Sequence, residues 1–382
     1  MELFELWHTA IASVNGQKAV RQHLRAHAKN SKQNYHLIAI GKAASSMSFG
    51  AIEVLGEQIK QALVITKYGH VDPVLASINN MHIIESGHPI PDEQSLLAGK
   101  TLIHFIQQTP CERKLLFLIS GGASALVEKL PKAYSLSEWQ NLNQNFMASG
   151  ENIAEINDQR KAVSCIKGGK LTQYINQQQQ VEALYISDVP GDQLSVIGSG
   201  LLYQEQVCQQ KSQSIQHTII ASNVIAQARA AQLARQKGYK AYRYSKLLCD
   251  DIHLCADRIS NKILNGSPGV YIWGGEPTVI LPENPGKGGR NQALALLLAE
   301  RISGRQNIQI LVAGTDGSDG PCDAAGGLVD GDTLSKGELK GLNIAEYITG
   351  ANAYSYLSAT DALFQTGPTG TNVMDLVLVK VN

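Results

Sequence analysis

Six short, glycine-bearing loops hold most of the residues able to do polar chemistry in this chain. Gly41-Lys42-Ala43-Ala44 follows an apolar run and opens a helical stretch, where a lysine is placed to meet a phosphate held by backbone N–H groups. Ser120-Gly121-Gly122-Ala123-Ser124-Ala125 is made of residues small enough for its amides to form an anion nest. Ser187-Asp188-Val189-Pro190-Gly191-Asp192 carries two carboxylates, suited to a hydrated Mg²⁺ or to a base that accepts a hydroxyl proton. Gly274-Gly275-Glu276 precedes Gly286-Lys287-Gly288-Gly289-Arg290-Asn291-Gln292, and Arg290, at a helix start beside glycines, suits phosphate recognition. Gly314-Thr315-Asp316-Gly317-Ser318-Asp319-Gly320-Pro321 adds carboxylates, with Asp323 following. Thr366-Gly367-Pro368-Thr369-Gly370-Thr371-Asn372 offers hydroxyls, an amide and N–H groups to phosphate oxygens.

Taken singly, each loop equally fits a tight polar turn. Together they supply a lysine, an arginine, several carboxylates and glycine nests. That inventory suits phosphoryl transfer, in which positioning and charge neutralisation do most of the catalysis. Other chemistries lack their residues. No G-x-G-x-x-G occurs, and Gly99-Lys100-Thr101 lacks the earlier glycine of a P-loop because position 94 is Gln. No His accompanies a Ser or Cys nucleophile. His70 and His88 lie in glycine-containing loops, where structural hydrogen bonding or a place in a substrate pocket would each account for them. The cysteines form no C-x-x-C pair and no zinc-finger spacing, so they read as reduced thiols.

These loops need strands and helices to hold them. Apolar runs predict strands at Tyr35–Ile40, Gln61–Thr66, Met81–Glu85, Lys114–Ile119, Glu182–Ser187, Thr218–Ala221, Gly269–Trp273 and Gln309–Ala313. They alternate with helical stretches, which predicts an α/β protein with parallel sheets covered on both faces and ligands beyond the carboxyl ends of the strands. Residues 1–30 read as helical, with Leu3, Leu6, Trp7 and Ile11 on one face. Ser135–Ile175 reads as a long helical region, with Ser135 and Glu138 at capping-box spacing and breaks at Ser149-Gly150 and Gly168-Gly169. Gln177–Gln180 reads as a solvated loop, and the polar stretch Val207–His217 as a linker. The expected domains are therefore 1–213 and 214–382. The 33 basic and 33 acidic residues balance, so neither a nucleic-acid groove nor a membrane-seeking face is expected. No apolar run reaches the length of a membrane span and the first residues lack a signal-peptide pattern, which predicts a cytoplasmic protein.

Read in order, the loops resemble the class II glycerate kinases, whose C-terminal portion is the MOFRL domain. The matching strings are Gly41-Lys42-Ala43-Ala44, Thr66 through His70, Gly87-His88-Pro89-Ile90-Pro91-Asp92, Ser120 through Leu126, Arg160-Lys161 to Lys167-Gly168-Gly169, Ser187 through Asp192, Gly286 through Gln292, Gly314 through Gly326 and Gly367 through Val373. They span essentially the whole chain. The resemblance implies a larger N-terminal, Rossmann-like parallel-sheet domain and a smaller C-terminal α/β domain, with the active site in the cleft. It implies transfer of the γ-phosphate of ATP, with Mg²⁺, to D-glycerate, giving 2-phosphoglycerate. Lys42 matches an essential lysine and Arg290 a phosphate-facing arginine, while Asp188, Asp192, Glu276 and Asp316 match acidic positions. Lys42, Asp188 and Arg290 are thus the expected catalytic set. Ser120, Gly121, Gly122, Ser124, Glu276, Asp316, Thr369, Gly370, Thr371 and Asn372 are the expected substrate or ATP contacts, and Asp192 and Asp316 the candidate metal ligands. The partners are small molecules, with a homodimer left open. Ala162 stands where the family usually has His, Leu201 where it has Pro and Cys322 where Thr is common, changes expected to affect substrate fit. A hydroxypyruvate reductase and a non-catalytic metabolite binder are the competing readings. The first lacks a dinucleotide fingerprint, and the second has no need of Lys42, Arg290 and the aspartates together.

Overall fold

The computed structural model describes residues 2–27, 33–148, 153–203 and 214–382. The chain forms two compact units, Gly16–Ala221 and a second that joins Met1–Asn15 to Ser222–Asn382. A single boundary near 213 does not describe this division, for two physical reasons. The strand expected to begin at Thr218 already starts at Ile215 and is hydrogen-bonded into the first unit's sheet, so Ile215–His217 are sheet rather than linker. Of the rest of that stretch, 207–213 lie outside the described residues. At the other end, the expected N-terminal helical stretch is two helices, Leu3–Val14 and Gly16–His27, separated at Asn15. The first buries Leu3, Leu6, Trp7 and Ala10 in the second unit, with Trp7 edge-on to Phe364 at 5.1 Å and Thr371 Oγ1 donating to Val14 O at 2.7 Å.

The first unit is built on six strands: β1 (Tyr35–Ile40), β2 (Ile59–Lys67), β3 (Met81–Ser86), β4 (Lys114–Ile119), β5 (Val181–Ile186) and β6 (Ile215–Ala221). All pair in parallel, in the order β3-β2-β1-β4-β5-β6. β1 and β5 are buried along their whole length, which explains runs such as YHLIAI without polar alternation. Leu63, Ile65, Phe117, Leu118 and Leu184 carry the burial across the sheet. The capping box at Ser135 and Glu138 forms, with Ser135 N donating to Glu138 Oε2 at 2.7 Å. The helix it starts ends at Ala148, a second runs Ile153–Val163, and the break expected at Ser149-Gly150 lies outside the described residues. Gly168 and Gly169 take φ of 62° and 78° and turn the chain after it. Within the glutamine run, Gln179 is buried rather than solvated, because its side-chain amide donates to Arg113 O and to Pro110 O.

The second unit holds β7 (Ala241–Arg243), β8 (Gly269–Gly275), β9 (Ile308–Gly314), β10 (Gly326–Asp330), β11 (Leu363–Phe364) and β12 (Asp375–Val381), ordered β11-β10-β9-β12-β8-β7. This sheet is mixed, which corrects the expectation of parallel sheets throughout. β12 returns antiparallel between β8 and β9, and β10 folds back antiparallel on β9. Among the described residues no helix is long and apolar enough to cross a membrane.

Candidate active site

In the first unit, strand order reverses at β1, with β2 on one side and β4 on the other. Loops leaving neighbouring strands at such a point diverge and open a crevice beyond the carboxyl ends. Lys42 follows β1, and Ser120-Gly121-Gly122 follows β4. The two loops are bonded to each other: Lys42 N donates to Gly121 O at 2.9 Å, and Ala43 N to Ser120 Oγ at 3.1 Å. Gly41, at φ 130°, sits where any β-carbon would overlap Ser120. Ser120 is buried and its hydroxyl accepts from Ala43, so it builds the loop. Ser124 Oγ shares a hydrogen bond of 2.7 Å with Ser199 Oγ.

Asp188 follows β5 by two positions, and its carboxylate lies directly against Gly121, where a β-carbon would overlap Oδ2. Burial pushes the Asp188 carboxyl above its ordinary range, and the charge of Lys42 opposes that shift. The Lys42 stem and the His88 ring border Gly122, with Lys42 Cγ and His88 Nε2 each 3.2 Å from the position a β-carbon there would take. Lys42 makes no ion pair among the described residues. Burial and the charges of Lys42, Lys67 and His70 push His88 down to about 4. Lys42, Asp188 and His88 are therefore gathered around two consecutive glycines. His70 is exposed at the end of β2. Asp192, at φ 54°, turns away from β5 four residues after Asp188.

Beside these loops a buried ion pair joins Lys167 to Glu128. Ser164 Oγ donates to Glu128 Oε1 at 2.5 Å, and the Trp139 ring lies 5.3 Å from Lys167 Nζ. Glu128 went unmarked in the sequence because it stands alone after the apolar Ala125-Leu126-Val127. A buried charge normally demands a partner, and here the partner is thirty-nine residues away.

The second unit gathers a different cluster. Arg290 is the first residue of the helix Arg290–Arg301. Its Nε and Nη2 donate to Asp375 at 2.7 and 3.2 Å, and its Nη1 pairs with Glu276 at 2.8 Å. Asp375 opens β12 and is buried, and burial pushes its carboxyl up against the opposing pull of Arg290. Asp319 accepts the N–H groups of Asn291 at 3.0 Å and Gln292 at 2.8 Å, so a carboxylate of the chain itself occupies this helix start. Burial pushes Asp319 up to about 6 in spite of those bonds. In the sequence Asp319 stood only among the carboxylates of the 314–321 loop, and Asp375 was unmarked. Asp375 is legible afterwards as the acid that begins an otherwise apolar Leu376-Val377-Leu378-Val379.

The loop at 366–372 is bonded within the same unit. Thr369 Oγ1 donates to Thr315 O at 2.7 Å, Thr371 Oγ1 to Val14 O, and Asn372 Oδ1 accepts from Met374 N at 3.1 Å. The threonine hydroxyls expected to hold phosphate thus serve the fold, while Gly370, at φ 73°, supplies the turn. Asp316 Oδ1 accepts from Ser318 N at 3.0 Å. Among the described residues no three His, Cys, Asp or Glu side chains assemble as a metal site.

Comparison with known proteins bears on the whole chain. Residues 2–232 match the family described as "Domain of unknown function (DUF4147)", and residues 269–375 match the MOFRL family. A D-glycerate 2-kinase of Thermotoga maritima is 35% identical over 98% of this chain and 96% of its own. A putative hydroxypyruvate reductase of Agrobacterium vitis is 30% identical over 90% of this chain and 98% of its own. The crystal structure of a glycerate kinase from Thermotoga maritima superposes with a TM-score of 0.91 at 33% identity, covering 99% of this chain and 98% of that one. The chain belongs to the DUF4147–MOFRL family, the class II glycerate kinases.

Proposed function

We propose that the protein transfers the γ-phosphoryl group of ATP to D-glycerate and yields 2-phosphoglycerate. The observation that carries this reading is the gathering of Lys42 and Asp188 around Gly121-Gly122, at the point where the parallel sheet reverses strand order. In the transfer, the acceptor hydroxyl oxygen forms a bond to the γ-phosphorus as the bond to the bridging oxygen breaks and ADP leaves. Asp188 takes the hydroxyl proton. Its raised affinity for a proton makes it a better base than an ordinary aspartate, and the missing side chain of Gly121 is what lets the carboxylate sit there. Lys42, half-buried and outside any ion pair among the described residues, meets the negative charge of the phosphates. In the second unit Arg290, held by Asp375 and Glu276, keeps further N–H groups with which a guanidinium can bind an anion.

Magnesium fits the donors present, which are carboxylate oxygens rather than thiols or imidazoles. With no three-carboxylate cage among the described residues, it would arrive on the nucleotide and use a single carboxylate, with Asp192 or Asp316 the candidate. When bound it neutralises phosphate charge. A reaction fed by ATP fits a cytoplasmic protein.

An assay with MgATP and D-glycerate, with the product's phosphate position read by phosphorus NMR, tests the reading. Phosphate on the 2-hydroxyl is expected, and full activity in excess EDTA would remove magnesium from the account. The reductase reading has one observation in its favour, since the strand order is that of dinucleotide-binding folds. The β1 loop, Gly41-Lys42-Ala43, nevertheless lacks the glycine fingerprint. Oxidation of NADH or NADPH by hydroxypyruvate would reinstate it.

A further inference from the structure

His88 makes no hydrogen bond within the described structure, although it is half-buried beside Lys42. The other partly buried histidines of the first unit are engaged. His36 is bonded to Thr109 at 3.0 Å, His23 to Glu182 at 2.8 Å and His217 to Tyr185 at 2.9 Å. Only the His88 ring, of these four, turns its edge to the two glycines that border Lys42 and Asp188. Its Cδ2 and Nε2 stand 3.0 and 3.2 Å from where a β-carbon on Gly122 would be.

We propose that His88 binds the non-reacting hydroxyl of the acceptor acid, so that the acid's second hydroxyl faces Asp188. This rests on the kinase reading above. The surroundings of His88 are cationic, with Lys42, Lys67 and His70 all acting against its protonation. The ring is therefore neutral at physiological pH, with one nitrogen that donates and one that accepts. Nε2, the nitrogen that borders Gly122, can play either role, and a hydroxyl, which both donates and accepts, matches either. A carboxylate or phosphate is better served by a cation, and Lys42 is adjacent. As a base His88 is too weak near neutral pH, so the proton-accepting role stays with Asp188, whose carboxyl is shifted the other way. Binding sites built to hydrogen-bond a hydroxyl discriminate strongly against analogues that lack it.

The test compares D-glycerate as substrate with D-lactate, the same acid without its 3-hydroxyl, as competitive inhibitor. His88→Ala should raise KM for glycerate about 10-fold or more, a typical loss for one buried hydrogen bond. It should leave KM for ATP and the inhibition constant of lactate within about 3-fold of wild type. His88→Gln, neutral and able to donate and accept, should recover most of the glycerate affinity without moving the pH profile of kcat. Both variants are checked by thermal melting. Equal weakening of glycerate and lactate, or no weakening of either, would overturn the proposal, and so would a pH profile that changes in His88→Gln. If wild-type protein does not phosphorylate glycerate, the kinase reading itself falls. If wild type is active and His88→Ala matches it, only the role of His88 falls.

Discussion

The Lys42 and Arg290 clusters both place a cation among carboxylates, yet they are finished to different degrees. Around Arg290 the chain supplies the counter-charges itself, with Asp375 in two bonds, Glu276 in a third and Asp319 on the helix start. Around Lys42 it does not. The lysine is outside any ion pair among the described residues, Asp188 has no side-chain donor among them, and His88 is unbonded. Buried or half-buried polar groups left in this state raise the free energy of the empty protein, and they are satisfied when a ligand arrives. On the proposed reading that contrast puts the chemistry at the Lys42 loops, while the Arg290 cluster is held by the chain's own carboxylates.

Changes on the two sides should therefore differ in kind. The largest effect is expected at Gly121, where an alanine would push against the Asp188 carboxylate. Misplacing a reacting group by about an ångström costs on the order of 100-fold in rate. Gly121→Ala should thus lower kcat by about 100-fold or more with little change in melting temperature, and stopped assays at saturating substrates would show it.

On the other side, Asp319 should declare itself in stability rather than turnover. Its carboxyl is raised to about 6 in the folded protein, against about 4 unfolded. The native state then holds a proton that the unfolded state has released, so this residue's contribution to stability is full below pH 4 and is lost as pH rises through 6. The difference is on the order of 2–3 kcal/mol. Urea unfolding at a series of pH values should show that loss in wild type and its absence in Asp319→Asn.

The smallest effect is expected from Arg290→Lys. An ammonium cannot span both oxygens of Asp375 and still reach Glu276. Stability should fall by about 1.5 kcal/mol, the loss of roughly one charge-assisted bond, and urea unfolding would show it. Unchanged stability would mean that the pairing with Asp375 contributes nothing to the fold.

The first unit's sheet was legible because buried parallel strands read as unbroken apolar runs. Tyr35–Ile40 and Lys114–Ile119 have the bounds that the runs predict. Lys42 and Asp188 were legible for a related reason, since each stands in a glycine-bearing loop just beyond such a run. What escaped was set by distant pairing. β7 and β11 are only three and two residues long, too short for any period to register. β12 is apolar enough to be a strand, but its antiparallel place between β8 and β9 depends on residues about sixty to a hundred and ten positions earlier. Asp375 and Glu128 escaped likewise, because a lone acid in an apolar run says nothing of the cation it will meet. The helical reading was sound over Leu3–Val14 and Gly16–His27, but the division of the two helices between units depends on what Trp7 packs against.

The central claim is that the uncompensated charge of Lys42 serves phosphoryl transfer. The most direct test is kcat of Lys42→Ala with saturating MgATP and D-glycerate, alongside its melting temperature. Removing one charged contact that strengthens in the transition state costs on the order of 3 kcal/mol, so turnover should fall roughly a hundredfold or more while the melting temperature stays near that of wild type. Near-normal turnover would contradict the account and make Lys42 a surface residue.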